Sequence, residues 1–225
     1  MTDKPLMLQV LPRLTEEDTA RITSAYDRYL EALLAVDEGV GEIIDALDES
    51  GVLEDTVVVF TSDNGYFFGE HRIPEGKLFF YEPSIRVPLL VRGPGIPAGV
   101  TRSSLVANID LAPTLLDLAQ AAPLRTMDGR SLVPLLHGDP PATDRAVLLE
   151  VGGLEGEGLQ SFGVRTPRYA YFELRTGRRE LYDLVADPAQ LDNRAGEPEL
   201  ADVEAKLAEQ LAALEPCRGT DCDVG

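Results

Sequence analysis

The run Thr56-Val57-Val58-Val59-Phe60-Thr61 constrains the fold of this chain more than any other stretch. It is β-branched or aromatic throughout, of strand length, and lacks the polar alternation of a half-solvated strand. Such a run suits a central strand buried on both faces, and hence a mostly parallel sheet covered by helices. The polar Ser62-Asp63-Asn64-Gly65 follows at once. It therefore falls just past the carboxyl end of a parallel strand, the edge at which open α/β sheets bind ligands.

The flanking sequence supplies the cover. Between Leu14 and Ser50 apolar residues recur at Ile22, Tyr26, Tyr29, Leu33, Val36, Val40, Ile43 and Leu47. These steps of three and four place them on one face of a long helix. Thr15 with Asp18 reads as its capping box and Gly51 as its stop. A loop rich in glycine, proline and aromatics spans 66–84. Loops longer than ordinary connections tend to be functional or disordered. A second apolar strand, Val87-Pro88-Leu89-Leu90-Val91, and a turn-rich stretch over 92–99 follow. Asp110 to Ala121 reads as a helix with Asp110 as its N-cap. Pro134, within Leu132 to Leu136, limits that segment to a short helical turn. From about Arg145 the pattern changes to short segments at 147–151, 161–165, 169–173 and 180–184, separated by turns, which is a hairpin signature. Glu197 to Leu214 closes the chain as an amphipathic helix. Residues 1–144 are expected to form part of a helix-covered α/β domain, and 145–225 a small subdomain of antiparallel strands plus one helix.

With 225 residues, 44% apolar and 26% charged, the chain has the composition of a soluble protein with a sizeable core. It has no run of about 18 apolar residues to span a membrane. Lys and Arg number 20 against 39 Asp and Glu, a formal charge of −19. That argues against nucleic acid and anionic membranes as partners, since both are held by basic residues. An anionic substrate would be repelled at long range unless a cation sat in the site. Met1-Thr2-Asp3-Lys4-Pro5 lacks the positive and apolar regions of an export signal. Cys217 and Cys222 are read as a local disulfide, with free thiols as the other reading. Oxidation would favour a secreted or periplasmic protein.

Asp63 and Asn64 bring two oxygen-bearing side chains to a strand end, a donor type suited to calcium or magnesium. Calcium takes about six to eight oxygens, so further ligands must come from elsewhere. Asp-Asn-Gly is also ordinary turn sequence. What weighs for a site is the strand-end position together with Gly69-Glu70-His71-Arg72 and Glu75-Gly76-Lys77, all upstream of the second apolar strand.

The ordered segments Val57 to Gly65, Gly69-Glu70-His71, Gly76-Lys77, Tyr81-Glu82, Ile85 to Val91, Arg92-Gly93-Pro94-Gly95 and Asp110 to Asp117 resemble the sulfatase family of the alkaline-phosphatase-like superfamily. Tyr29 to Asp37 resembles the helix before the metal strand. Glu180 to Leu184 with Asp187-Pro188 resembles the family's C-terminal sheet, so nearly the whole chain is covered. The resemblance implies the C-terminal part of an alkaline-phosphatase-like α/β sandwich, with a mostly parallel central sheet. It implies that Asp63 and Asn64 hold calcium or another divalent cation, with Asp63 close enough to a formylglycine nucleophile to help deprotonate it. Lys77 would contact a sulfate oxygen and stabilise charge on the leaving oxygen. His71 would be a substrate contact or proton donor, or else a loop residue that positions Glu70 or Tyr81. Arg72 and Arg86 are candidate contacts to an anionic substrate, with Arg86 rather expected to pair with a carboxylate such as Glu82, and His137 is expected to sit in a turn.

The family's Cys/Ser-x-Pro/Ala-x-Arg motif, the source of formylglycine, matches no Cys or Ser here. Ser161-Phe162-Gly163-Val164-Arg165 comes nearest, with glycine at the third position. The paired aspartates of the family's first strand and its upstream lysine and histidine are also absent. The chain is therefore expected to be a sulfatase fragment, inactive alone, with formylglycine in a missing N-terminal part and an apolar sheet edge prone to aggregation. Its substrate would be a sulfate ester, a small molecule or a glycan. Two other readings stand beside this one: a non-catalytic binding or structural module descended from a sulfatase, and a fragment of a related phosphoester or phosphonate hydrolase. The sequence leaves the particular ester and the oligomeric state open.

Overall fold

The computed structural model describes residues 3–77, 79–138, 145–151, 161–174 and 176–224. In chain order the elements are α1 (Leu6–Gln9), α2 (Glu16–Glu49), β1 (Val58–Thr61), α3 (Glu82–Ile85), β2 (Leu89–Arg92), α4 (Leu111–Leu118), α5 (Val133–His137), β3 (Val147–Val151), β4 (Ser161–Arg165), β5 (Tyr169–Glu173), β6 (Arg179–Asp183) and α6 (Ala201–Leu214), with short 3-10 turns between them. The fold is a mixed one of helices and antiparallel sheets. Its contacts form two compact units, Leu6–Lys77 with Pro83–Gly99, and Met1–Pro5 with Leu78–Glu82 and Val100–Gly225. Asp139 and the expected domain boundary at residue 144 lie outside the described residues.

In the unit built on Leu6–Lys77, α2 begins where the sequence sets it. Thr15 Oγ1 accepts the Asp18 N–H at 3.1 Å, and the Thr15 N–H donates to Asp18 Oδ2 at 3.0 Å. Two otherwise orphaned donors are thereby satisfied reciprocally. Glu16, Glu17 and Asp18 oppose the positive end of the helix dipole. Of the apolar face only Ile22 is buried, while Tyr26, Tyr29, Leu33, Val36 and Ile43 remain between 37% and 59% exposed.

β1 pairs with β2 antiparallel, Val58 opposite Arg92 and Thr61 opposite Leu89. The sequence predicts a central strand of a parallel sheet instead. Among the described residues both sheets are antiparallel throughout. Phe60 and Leu90 are exposed, so neither strand is enclosed on both faces. A continuous apolar run reports how much cover a strand calls for, and carries no information about the direction of its neighbour. Past Thr61 the backbone comes close to the start of α3. The Gly65 N–H donates to the Ser84 carbonyl at 2.8 Å, and a Cβ on Gly65 would lie 2.1 Å from the Pro83 carbonyl oxygen. Only glycine permits that approach.

The other unit carries the hairpins that the sequence predicts, a sheet in the order β3-β4-β5-β6. Side chains alternate across it. Val164, Tyr171 and Leu181 share one core with Ala146, Cys222 and Leu207, Leu211 and Leu214 of α6. Phe172 and Tyr182 serve a second cluster, where Phe172 stacks on Phe80 at 5.0 Å and Tyr182 meets Tyr81 at 6.1 Å. There the buried Lys4 donates to the Tyr182 hydroxyl at 2.6 Å and to the Gln190 carbonyl, and the Tyr81 hydroxyl donates to Glu180 at 2.8 Å. Burial pushes the Lys4 ammonium below its ordinary pKa and the Glu180 carboxyl above its own. Cys217 and Cys222 form a disulfide, their Cα atoms 5.1 Å apart.

Asp110 occupies the expected N-cap position of α4, but its side chain makes no cap bond to that helix. A 3-10 turn, Asn108–Asp110, precedes α4, and the Asp110 carboxylate accepts the Ala107 N–H of that turn at 2.8 Å. It also accepts the Arg130 N–H at 3.0 Å and two bonds from Arg145 at 2.5 and 2.8 Å. Both partners of this ion pair are buried. Burial alone would raise the Asp110 carboxyl, but Arg145 and the two backbone N–H groups outweigh it and hold it below the ordinary carboxylate range.

Two outcomes follow for stability. Gly65→Ala should lower it by about 1–3 kcal/mol, the usual cost of forcing atoms into filled space, read as a lower urea midpoint. Asp110 is the sharper case. Its folded pKa lies below the unfolded value of about 3.9, so its contribution is present above that pH and is lost as pH falls through the folded value. Urea titrations between pH 7 and pH 3 should show wild-type stability falling at the acid end and a shallower fall in Asp110→Asn. Equal slopes would contradict the assignment.

Candidate functional site

Four residues after β1 make a tight turn. The Ser62 hydroxyl donates to the Asn64 carbonyl at 3.0 Å, and the Asn64 N–H donates to Asp63 Oδ1 at 2.9 Å. With Gly65 fixed against Ser84, the Asp63 carboxylate is left exposed and the Asn64 side chain half-buried. The chain then closes a loop, because the Phe67 N–H donates to the Gly76 carbonyl at 2.8 Å as an isolated bridge. That closure returns Lys77 to the turn. Lys77 Nζ donates to Asn64 Oδ1 at 2.9 Å.

The structure thus brings Asp63, Asn64 and Lys77 together. His71 is placed differently. It is 7% exposed, has a left-handed backbone at φ 53°, and sets its ring edge-on to Phe67 at 6.3 Å between centroids. Arg72, also left-handed at φ 63°, donates to the Leu11 carbonyl at 3.3 Å. Glu82, the expected partner of Arg86, accepts from Arg165 at 2.8 Å.

Asp63 and Asn64 line a cleft of about 530 Å³, together with Arg28, Tyr29, Tyr66 and Phe68 among others. Tyr26, Tyr29 and Tyr66 each approach Phe68 at 5.1 to 5.4 Å, an aromatic wall beside the carboxylate. Sequence reasoning did not single out Arg28, and it placed Tyr29 on the helix core face. Periodicity reports a face without distinguishing packing from the rim of a cleft.

The chemistry of the turn is that of a hard-cation site in part. Both side chains offer oxygen, and Asn64 Oδ1 keeps one lone pair beyond the one that Lys77 uses. Among the described residues no three or more His, Cys, Asp or Glu are grouped so as to hold a metal ion. The chain contributes donors of the right kind and a fraction of the number calcium takes.

A family model described as "Sulfatase" matches residues 9–121, and one described as "N-sulphoglucosamine sulphohydrolase, C-terminal" matches 69–216. The chain is 35% identical to the N-acetylglucosamine-6-sulfatase of Homo sapiens, over 96% of this chain and 45% of that protein. It also superposes on a solved structure described as a complex with its substrate D-glucosamine-2-N,6-O-disulfate, with TM-score 0.76, 34% identity, and coverage of 82% of this chain and 39% of that one. The phosphonate monoester hydrolase of Agrobacterium radiobacter is similar too, at TM-score 0.72 and 32% identity, over 80% of this chain and 38% of that one. The chain therefore spans less than half the length of these relatives. Matched by both models over most of its length, it belongs to the sulfatase family.

Proposed function

We propose that this chain supplies one side of a sulfuric ester hydrolase site, with Asp63 and Asn64 as metal ligands and Lys77 as the contact to the sulfate. The observation that carries this reading is the 2.9 Å bond from Lys77 to Asn64 beside the Asp63 carboxylate. It holds an ammonium beside two oxygen donors, so that a cation held by the oxygens and the ammonium can meet one anion together. Calcium, or another divalent cation, would be held by Asp63 and Asn64 and would polarise a bound sulfate oxygen. Lys77 would stabilise the charge that moves to the leaving oxygen as the S–O bond breaks. Asp63 would take a proton from the nucleophile. That nucleophile, a formylglycine in this reading, has no source motif among this chain's Cys and Ser residues. Activity thus belongs to this chain together with the rest of the sulfatase fold, and the chain alone is inactive.

The remainder of that fold supplies the mostly parallel sheet in this reading, and its strands cover the apolar face of α2 and the open faces of β1 and β2. Residues 1–144 then lie in the catalytic domain and 145–225 in the C-terminal subdomain. The disulfide fits a secreted or periplasmic enzyme. The sugar sulfate named for one structural neighbour makes a sulfated glycan the substrate class to test first. A second reading, hydrolysis of phosphonate monoesters, is favoured by the likeness to the Agrobacterium radiobacter enzyme.

In the polypeptide that joins this chain to the rest of the fold, Lys77→Ala should lower kcat on 4-nitrophenyl sulfate by about 10²–10³, the usual loss of one preorganised charge-stabilising group. A loss below about threefold would remove Lys77 from the proposal. Turnover of phenyl phosphonate monoester against the sulfate separates the two chemistries. Faster sulfate hydrolysis is expected, and the reverse order favours the second reading.

A further inference from the structure

We infer that His71 is a positioning residue, whose buried ring and left-handed backbone hold the Phe67–Gly76 loop closed and so set Lys77 against Asn64. This rests on Lys77 being the sulfate contact. The loop has the means to act as a rigid clasp. Its ends meet at the Phe67–Gly76 bridge, and inside it Gly69 N–H donates to Ile73 O at 2.9 Å, Arg72 N–H to Gly69 O at 3.1 Å and Ile73 N–H to Glu70 O at 2.9 Å. The Glu70 carboxylate accepts the Phe68 N–H at 2.6 Å. These bonds curl the backbone so tightly that four of its residues take positive φ: Gly69 at 106°, His71 at 53°, Arg72 at 63° and Gly76 at 153°.

Two of those four are not glycine and stand side by side. A non-glycine residue keeps such a conformation only where surrounding contacts over-determine it, and such residues gather at functional sites. The contacts here are the interior of the loop. Phe67 is fully buried, Ile73 is 6% exposed, and the His71 ring lies edge-on to Phe67. Outside, Arg72 reaches the Leu11 carbonyl, and Gly69 lies close to Leu14 and Ile22 of the same unit. His71 is not among the residues lining the cleft that Asp63 and Asn64 share. A ring so placed acts on the reaction through the loop, whose last bond sits one residue before Lys77.

The experiment uses the active polypeptide containing this chain, with His71→Ala, His71→Gln and Lys77→Ala. His71→Ala should lower kcat about a hundredfold with KM nearly unchanged, as a misplaced charge-stabilising group does. It should add little to the loss in Lys77→Ala, because both act through one ammonium. His71→Gln keeps length and hydrogen bonding without an ionisable ring, so it should restore much of the rate and leave the pH–rate profile unaltered. Loss of one limb of that profile in His71→Gln would make His71 a proton donor and overturn the inference. A fall in melting temperature with kcat preserved would make it structural only, and would overturn it equally. If wild type hydrolyses no sulfate ester, the functional reading fails, and amide exchange still decides the loop. His71→Ala should speed exchange at the Phe67 amide by about tenfold or more while β5 and β6 amides are unchanged, and equal exchange overturns the inference.

Discussion

The backbone of Gly65 lies against Pro83 and Ser84 with no space for a side chain, and the arrangement of the site follows from that contact. It fixes where the chain leaves β1 and the direction in which Asp63 and Asn64 are presented. The bond from Phe67 to Gly76 then fixes where the chain returns, which delivers Lys77. A long loop would ordinarily lose a closure entropy that grows with its length and leave its ends loosely placed. Here an internal bond network and a buried Phe67, His71 and Ile73 replace that freedom with one conformation.

The same unit has apolar surface that its own residues do not cover. Seven large side chains on α2 and two on the β1–β2 pair are at least 37% exposed. Full burial of such a side chain contributes about 1.5–3 kcal/mol, so this face is a considerable unspent driving force for association. The other unit contrasts with it, since its sheet has apolar clusters on both faces and a buried Asp110–Arg145 pair. In the proposed enzyme the uncovered face is the floor on which the rest of the sulfatase fold assembles.

Much of this was legible in the sequence. The steps of three and four, with Thr15 and Asp18, located α2 to within two residues of its ends, and the turn spacing located all four strands of the larger sheet. Asp63, Asn64 and Lys77 stand out in the sequence, and in the structure Lys77 bonds to Asn64, the residue after Asp63. Long-range partners were not legible. Arg145 lies 35 positions from Asp110, and Lys4 lies 178 from Tyr182, so no local pattern links them. The antiparallel pairing of β1 escaped for a different reason, because apolar content specifies cover and leaves strand direction open. Nor does any propensity foretell the left-handed backbone of His71, which is set by the loop around it.

The most direct test of the central claim is a calorimetric calcium titration of the polypeptide that joins this chain to the rest of the fold, as wild type and as Asp63→Ala. If Asp63 is a ligand in a shared site, the variant should bind calcium more than about tenfold more weakly, at least the loss seen when groups that merely support ligands are removed. Equal affinity in the two proteins would contradict the claim that this turn is part of the metal site.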